Sequence, residues 1–196
     1  MIIDFNGKTV VITGAGGFLG RSMAEEFAKS GAEVAVCDIN MGEAEKTVET
    51  IADLGGGAHA FEFDVSDREK TAAAMKKINE RFGKIDILIN NAGINVPSEK
   101  RRNIDEFDDV WWDNIINVDL CGIYNCSKAA LPFMKGEKGA NIINISSIVG
   151  IVPLKKQCAF AAAKAGVINL TKAMAAELEN IRVNAVAPGS IATAGT

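Results

Sequence analysis

Six short runs of β-branched or aliphatic residues punctuate the chain, at 9–13, 33–37, 59–63, 85–89, 141–145 and 182–186. Between them lie segments whose apolar residues recur every three or four positions, such as Leu19, Met23 and Phe27 in the first and Val167, Leu170, Met174 and Leu178 in the last. Strand alternating with helix predicts an α/β fold. Runs that are apolar nearly throughout fit strands covered on both faces, and right-handed crossovers then give a doubly wound parallel sheet with helices on both faces.

Composition supports one compact unit over residues 1–196. The 196 residues are 48% hydrophobic and 23% charged, with 19 glycines against 4 prolines, which excludes disordered and collagen-like chains. A chain of this length buries roughly 70% of its unfolded surface and needs no disulfide or structural metal to hold a core. The net charge of −4 offers no attraction to nucleic acid or anionic lipid, so neither is an expected partner. Cys37, Cys121, Cys126 and Cys158 form no CxxC pair and His59 is the single histidine, so no zinc site of usual spacing can be assembled. Free thiols and the lack of a leader or membrane-spanning run point to the cytoplasm.

The first run opens into Thr13-Gly14-Ala15-Gly16-Gly17-Phe18-Leu19-Gly20, with a helical segment beginning near Arg21. Strand, glycine turn and helix in that order is the context in which such a loop binds a dinucleotide. Gly14 makes the tight turn, Gly16 and Gly17 let the backbone approach a pyrophosphate, and Gly20 lets helix and strand pack closely. The helix N-terminus offers N–H donors to the phosphates. Asp38, at the end of the second run and 24 residues after Gly14, stands where a carboxylate accepts from the ribose hydroxyls of NAD and repels the 2′-phosphate of NADP. No Arg or Lys occupies 15–18 or 39–40 to offset that repulsion. Asp64 and Val65, after the third run, are expected at the adenine edge.

With these residues in place the chain resembles the short-chain dehydrogenase/reductase family over 7–193. Asn90-Asn91-Ala92-Gly93 is similar to the family's turn after the fourth strand, which adds Asn91, Ala92 and Gly93 to the cofactor contacts. Asn117 falls in the segment that carries the family's catalytic asparagine, and Ser147 in the segment that carries its serine. Pro188-Gly189-Ser190-Ile191-Ala192-Thr193 resembles the stretch beside the nicotinamide, and so implies contacts from Pro188, Gly189, Ile191 and Thr193. The resemblance implies a Rossmann-like sheet of strand order 3-2-1-4-5-6 and hydride transfer between a nicotinamide and a secondary alcohol or ketone. It also implies a homodimer or homotetramer built on helices over about 105–134 and 157–179.

The family's YxxxK motif is met here by Phe160-Ala161-Ala162-Ala163-Lys164, with Phe160 thirteen residues after Ser147 as the family spacing requires. The tyrosine that would exchange a proton with the substrate oxygen is a phenylalanine. Lys164 is one helical turn beyond it, on the same face, where the family's lysine lowers the phenol pKa and holds the nicotinamide ribose. Loss of a general acid/base typically removes ~10²–10⁴ of rate. Cofactor contacts through Gly14 to Gly20, Asp38 and Lys164 need no phenol, so binding is expected to outlast turnover. Two readings of Phe160 stand side by side: a near-isosteric disabling of an active enzyme, and a natural relative that serves as a non-catalytic NAD-binding or scaffold protein.

Other departures carry smaller expectations. Phe18 replaces a glycine, and either closes over the pyrophosphate or packs on the helix, packing being the reading adopted here. Tyr124, the single tyrosine, lies two turns beyond Asn117 and is read as core or helix-interface packing, as are Trp111 and Trp112. The run Lys100-Arg101-Arg102 is read as a solvated loop rather than an anion site. The chain ends at Thr196, before the substrate-covering loop and seventh strand that the resemblance implies, which predicts an exposed edge at the sixth strand.

Overall fold

The computed structural model describes residues 4–134 and 139–191. Its six strands, β1 (Thr9–Thr13), β2 (Glu33–Asp38), β3 (Gly57–Glu62), β4 (Ile87–Asn90), β5 (Asn141–Ile145) and β6 (Arg182–Val186), form one sheet. All pairings are parallel, and the order is β3-β2-β1-β4-β5-β6, as expected. Helices α1 (Phe18–Lys29), α2 (Met41–Asp53), α3 (Arg68–Phe82), α4 (Asp109–Ile116), α5 (Gly122–Met134) and α6 (Cys158–Glu177) make the crossovers. None of the described helices is long and apolar enough to cross a membrane.

Alternation along the strands builds two cores. Val10, Ile12, Val34 and Val36 point to one face and pack with Ala24 and Ala28 of α1 and Ala44 and Ile51 of α2. Val11, Ala35, Leu88 and Ile142 point to the other and pack with Met75 and Ile78 of α3 and Ala130 and Met134 of α5. Met174 and Leu178 join that second core from the α6 end. Coverage on both faces, expected of every strand, holds for β1 but not at β6, where only Val183 is buried. β6 is the last strand in the sheet order and so stands at its edge, and among the described residues no helix packs on its α1–α2 side, which leaves Val186 half exposed.

Two strands start two residues away from their expected positions, and the ends of β2, β3 and β4 shift by one. The third strand starts at Gly57, because it pairs with β2 from Glu33↔Gly57 onward. The fourth starts at Ile87 rather than at 85, because the Ile85 N–H goes to Phe133 O and the Asp86 N–H to Thr9 O. The helix expected over 105–134 is interrupted. Asp108 caps α4 by accepting from the Val110 N–H, and between α4 and α5 the residues Asn117–Cys121 form a widened π-helical turn. One extra residue in that turn changes which side chains face the sheet.

Candidate active site

The carboxyl ends of the strands open on a cleft of about 560 Å³. It lies at the β1/β4 junction, where the strand order reverses and two neighbouring loops must diverge. The glycine loop forms its floor. Gly14 has φ +64° and its Cα lies so near the next turn that an added Cβ would stand 2.9 Å from Ala92 Cα. A Cβ on Gly20 would strike Gly14 O. Gly17 is open to the cleft, whereas a Cβ on Gly16 would meet Glu43 of α2 at 2.8 Å. The role expected of a Gly16-Gly17 pair therefore divides: Gly17 opens the approach to a pyrophosphate, and Gly16 lets α2 close against the loop.

Helix α1 begins at Phe18, three residues before the expected start, with no side-chain cap and no acid in its first turn. Its first N–H groups and dipole face the cleft beside Gly17, Leu19 and Gly20, a place suited to an anion. Phe18 does not pack down on the helix. At the first helical position it stands 53% exposed at the cleft wall, which reverses the reading adopted from the sequence.

Asp38 ends β2 with both carboxylate oxygens held: Oδ2 accepts from Gly16 N at 2.9 Å and Oδ1 from Asn40 N at 3.0 Å. Arg21 is the nearby cation that inspection of 15–18 and 39–40 left out. Its guanidinium donates to Gly16 O (3.0 Å), Glu43 Oε2 (3.2 Å) and Thr47 Oγ1 (3.2 Å). Asp64 and Val65 line the same end of the cleft, with Asp64 Oδ1 capping its own turn through Ser66.

The turn after β4 is pinned to β1. Thr13 Oγ1 accepts from Asn91 N and Ala92 N, both at 3.0 Å, while Asn91 Nδ2 donates to Thr13 O and Gly14 O. Behind it Asn90 Nδ2 donates to Ser127 Oγ and Asn144 Oδ1, tying β4 to α5 and β5. Pro188, Gly189 and Ile191 close the opposite wall, where Ile148 N donates to Pro188 O. Thr193 lies outside the described residues.

Ser147, Phe160 and Lys164 converge at the β5 end. Ser147 Oγ accepts from Val149 N at 3.2 Å. Lys164, only 4% exposed, donates from Nζ to Ile145 O at 3.1 Å and lies 5.5 Å from the Phe160 ring centroid. Asn117 does not join them: it begins the π turn with its residue exposed and outside the cleft lining. Asp119, in the same turn, faces inward instead. Asp119 Oδ1 accepts from Ile94 N at 2.8 Å, and Oδ2 lies 3.1 Å from Lys164 Nζ with its side chain wholly buried. Burial pushes this carboxyl above the usual carboxylate range, against the pull of the Lys164 charge and the Ile94 N–H.

Asp119 was missed because an acid between Val118 and Leu120 reads as solvated. A signal existed in its position four residues after the buried Ile115, which places both on one helical face. Tyr124 is 41% exposed on α5 with Lys128 Nζ 3.2 Å from its hydroxyl, so within this chain it is not core. Trp111 packs against the Val96–Ile115 cluster as expected, and Trp112 is 39% exposed.

Comparison with known proteins agrees with this geometry. Residues 8–196 match the short chain dehydrogenase family. The chain is 44% identical to YxbG of Bacillus subtilis, an uncharacterised oxidoreductase, over 95% of this chain and 67% of that one. It is 39% identical to the 3-oxoacyl-(acyl-carrier-protein) reductase FabG of Thermotoga maritima, over 95% of this chain and 75% of the relative. Among solved structures, a NAD⁺-bound xylitol dehydrogenase superposes with a TM-score of 0.93 at 29% identity, covering 97% of this chain and 73% of that one. The chain belongs to the short-chain dehydrogenase family of oxidoreductases.

Proposed function

We propose that the chain binds NAD(H) in preference to NADP(H) and serves hydride transfer between the nicotinamide and a secondary alcohol or ketone, at a rate limited by the missing phenol of Phe160. The observation that carries the cofactor reading is the fixed Asp38 carboxylate across from the uncapped N-terminus of α1. An anion-accepting helix end and a ribose-accepting carboxylate are what the two halves of this cofactor need. Gly14 and Gly20, where a Cβ would collide with the turn after β4 and with the glycine loop itself, hold the loop tightly folded beneath the cleft, and Gly17 leaves its surface open. Arg21 supports the choice of NAD, since its guanidinium is committed to Glu43, Thr47 and Gly16 O rather than open to a 2′-phosphate.

Bound there, the cofactor supplies or accepts the hydride. Ser147 is placed to hold the substrate oxygen at the β5 end, and Lys164 is the cation nearest the position where the ribose hydroxyls would fall. Phe160 supplies shape and no proton, so transfer to or from the substrate oxygen falls to water, with a rate about 10²–10⁴ below that of a phenol-bearing site. NAD-bound relatives such as the xylitol dehydrogenase support the cofactor, and the reductase and dehydrogenase names support the reaction class. The cytoplasm suits the four free thiols, with Cys37 and Cys126 held neutral by burial. Homo-oligomers through α5 and α6 follow from family membership.

The test is a fluorescence titration with NADH, and NADPH in parallel, on the purified protein and on Asp38→Ser. Saturable binding of NADH at least tenfold tighter than NADPH, with the margin lost in Asp38→Ser, supports the reading. Equal affinity for both, or no binding of either, sinks it. A second reading, a non-catalytic NAD-binding protein, draws on one observation: Lys164 is already paired with Asp119. Phe160→Tyr that gains no NAD(H)-linked turnover on a panel of secondary alcohols and ketones would favour it.

A further inference from the structure

We propose that Asp119 is the standing counter-ion of Lys164, so that the acid at 119 and the phenylalanine at 160 are one arrangement in which a carboxylate fills the electrostatic place of a phenolate. The proposal rests on the reading above that Phe160 occupies the proton-transfer position. A lysine only 4% exposed must be compensated, because an unpaired ammonium in that setting keeps neither its water nor its charge. Phe160 offers Lys164 the face of a ring at 5.5 Å and no anion. The anion comes from behind, where the π turn aims Asp119 Oδ2 at Nζ from 3.1 Å.

The site is shaped around the pair. A Cβ on Gly93 would stand 3.0 Å from Asp119 Oδ2 and 3.3 Å from Lys164 Nζ, so the turn after β4 passes over both groups with no room for a side chain. The next residue in that turn donates its N–H to Asp119 Oδ1, which leaves Oδ2 free to face the ammonium. Apart from the ammonium, nothing within hydrogen-bond reach satisfies Oδ2. The remaining titratable groups that line the cleft, Cys37, Asp38 and Asp64, belong to β2 and the turn after β3, on the far side of β1. At Phe160 the local field is therefore set by Lys164 and Asp119, which oppose one another.

A consequence separates this arrangement from a simple loss of tyrosine. A phenol returned to position 160 meets a lysine whose charge is already cancelled, and so keeps an ordinary pKa near ~10. Removing the Asp119 charge frees the lysine and lowers that pKa.

The single native tyrosine makes this directly measurable, without substrate or cofactor. In a Tyr124→Phe background, Phe160→Tyr carries the sole phenol, and its ionisation is followed by absorbance near ~295 nm. The expected midpoint lies near ~10 with Asp119 present and falls by one pH unit or more with Asp119→Asn. Equal midpoints, or a higher one with Asn, overturn the proposal. Should Asp119→Asn fail to fold, Lys164→Met/Asp119→Leu removes the pair as a unit. There the midpoint is expected to stay within half a unit of the Asp119–Lys164 value, and a rise of more than one unit overturns the proposal. NADH titration of the same proteins keeps the two readings apart, since lost cofactor binding with the phenol shifts intact counts against the cofactor and leaves the counter-ion standing.

Discussion

Two buried carboxylates, Asp86 and Asp119, face lysines at opposite ends of the same sheet, and their environments push them in opposite directions. Asp86 lies just before β4, at the amino end of the strands. Burial works against its charge, yet Lys8 Nζ at 2.8 Å, the Thr9 N–H at 2.9 Å and Lys84 at 3.3 Å outweigh that cost and hold the carboxyl below its usual range. Asp119 lies at the carboxyl end with one ammonium and one N–H, and there burial prevails. The difference is in the cations as well as in their number: the Lys8 side chain is 41% exposed and keeps part of its water, whereas that of Lys164 is 6% exposed. The amino end ties β1 to β4 with its charges satisfied. The carboxyl end, where the cleft opens, keeps a carboxyl that burial pushes above its usual range.

The largest way to break this comparison is to remove each lysine. Lys164→Met leaves Asp119 charged and buried without its ammonium, which is expected to cost about 3–5 kcal/mol of unfolding free energy at neutral pH. Adding Asp119→Leu should restore most of it, because the pair is then removed together. Lys8→Met removes a lysine that is itself 41% exposed and leaves Asp86 with the Thr9 N–H and Lys84, and is expected to cost about 1 kcal/mol or less. Urea denaturation of the variants measures both losses. Equal costs at the two ends would mean that the contrast in cation burial has no energetic weight.

How far the sequence foretold this contrast varies along the chain. Sheet order and the nucleotide loop were legible because glycines and β-branched runs restrict the backbone locally. Asp38 and Lys164 were legible for a related reason, since a fixed spacing from Gly14 or from Phe160 places them on known faces. The π turn was not legible, because a single residue added to a helical turn leaves no mark in hydrophobic spacing. Phe18 was misread for a similar reason. Its apolar character argues for packing, but the first position of α1 points it across the cleft mouth. The edge position of β6 was expected, but its uncovered face was not, because an apolar strand reads the same whether one face or both are covered.

A smaller effect sharpens the amino-end half of the comparison. Asp86→Asn keeps an acceptor for the Thr9 N–H but loses the charge-assisted bonds from Lys8 and Lys84, and is expected to cost about 2 kcal/mol at pH 7. The folded-state pKa lies below the unfolded value of ~3.9, so this stabilisation is complete above that value and is lost as the pH falls through the folded pKa. Denaturation curves of the two proteins should therefore converge on acidification. A gap that stays constant from pH 7 down to the acid transition would assign the loss to packing instead of charge.

Asp119 should show the reverse sign, and weakly. Its folded-state pKa is raised, so between ~3.9 and that value the folded protein holds a proton that the unfolded chain has given up. Stability must then fall as the pH rises through the folded pKa, with a slope from this one group of at most about 1.4 kcal/mol per pH unit. The slope has the opposite sign to that of Asp86 and lies in a different window: the Asp86 stabilisation is complete above ~3.9, where the Asp119 fall begins, so the two together put a maximum near that value. Asp119→Asn removes the falling limb and leaves the rising one. The pH at which unfolding free energy peaks should accordingly move up relative to the native protein, by a shift that calorimetry or urea titration at half-unit intervals can resolve. A peak that moves down, or stays in place, would show that Lys164 holds Asp119 as firmly as Lys8 holds Asp86, and the contrast between the two ends of the sheet would vanish.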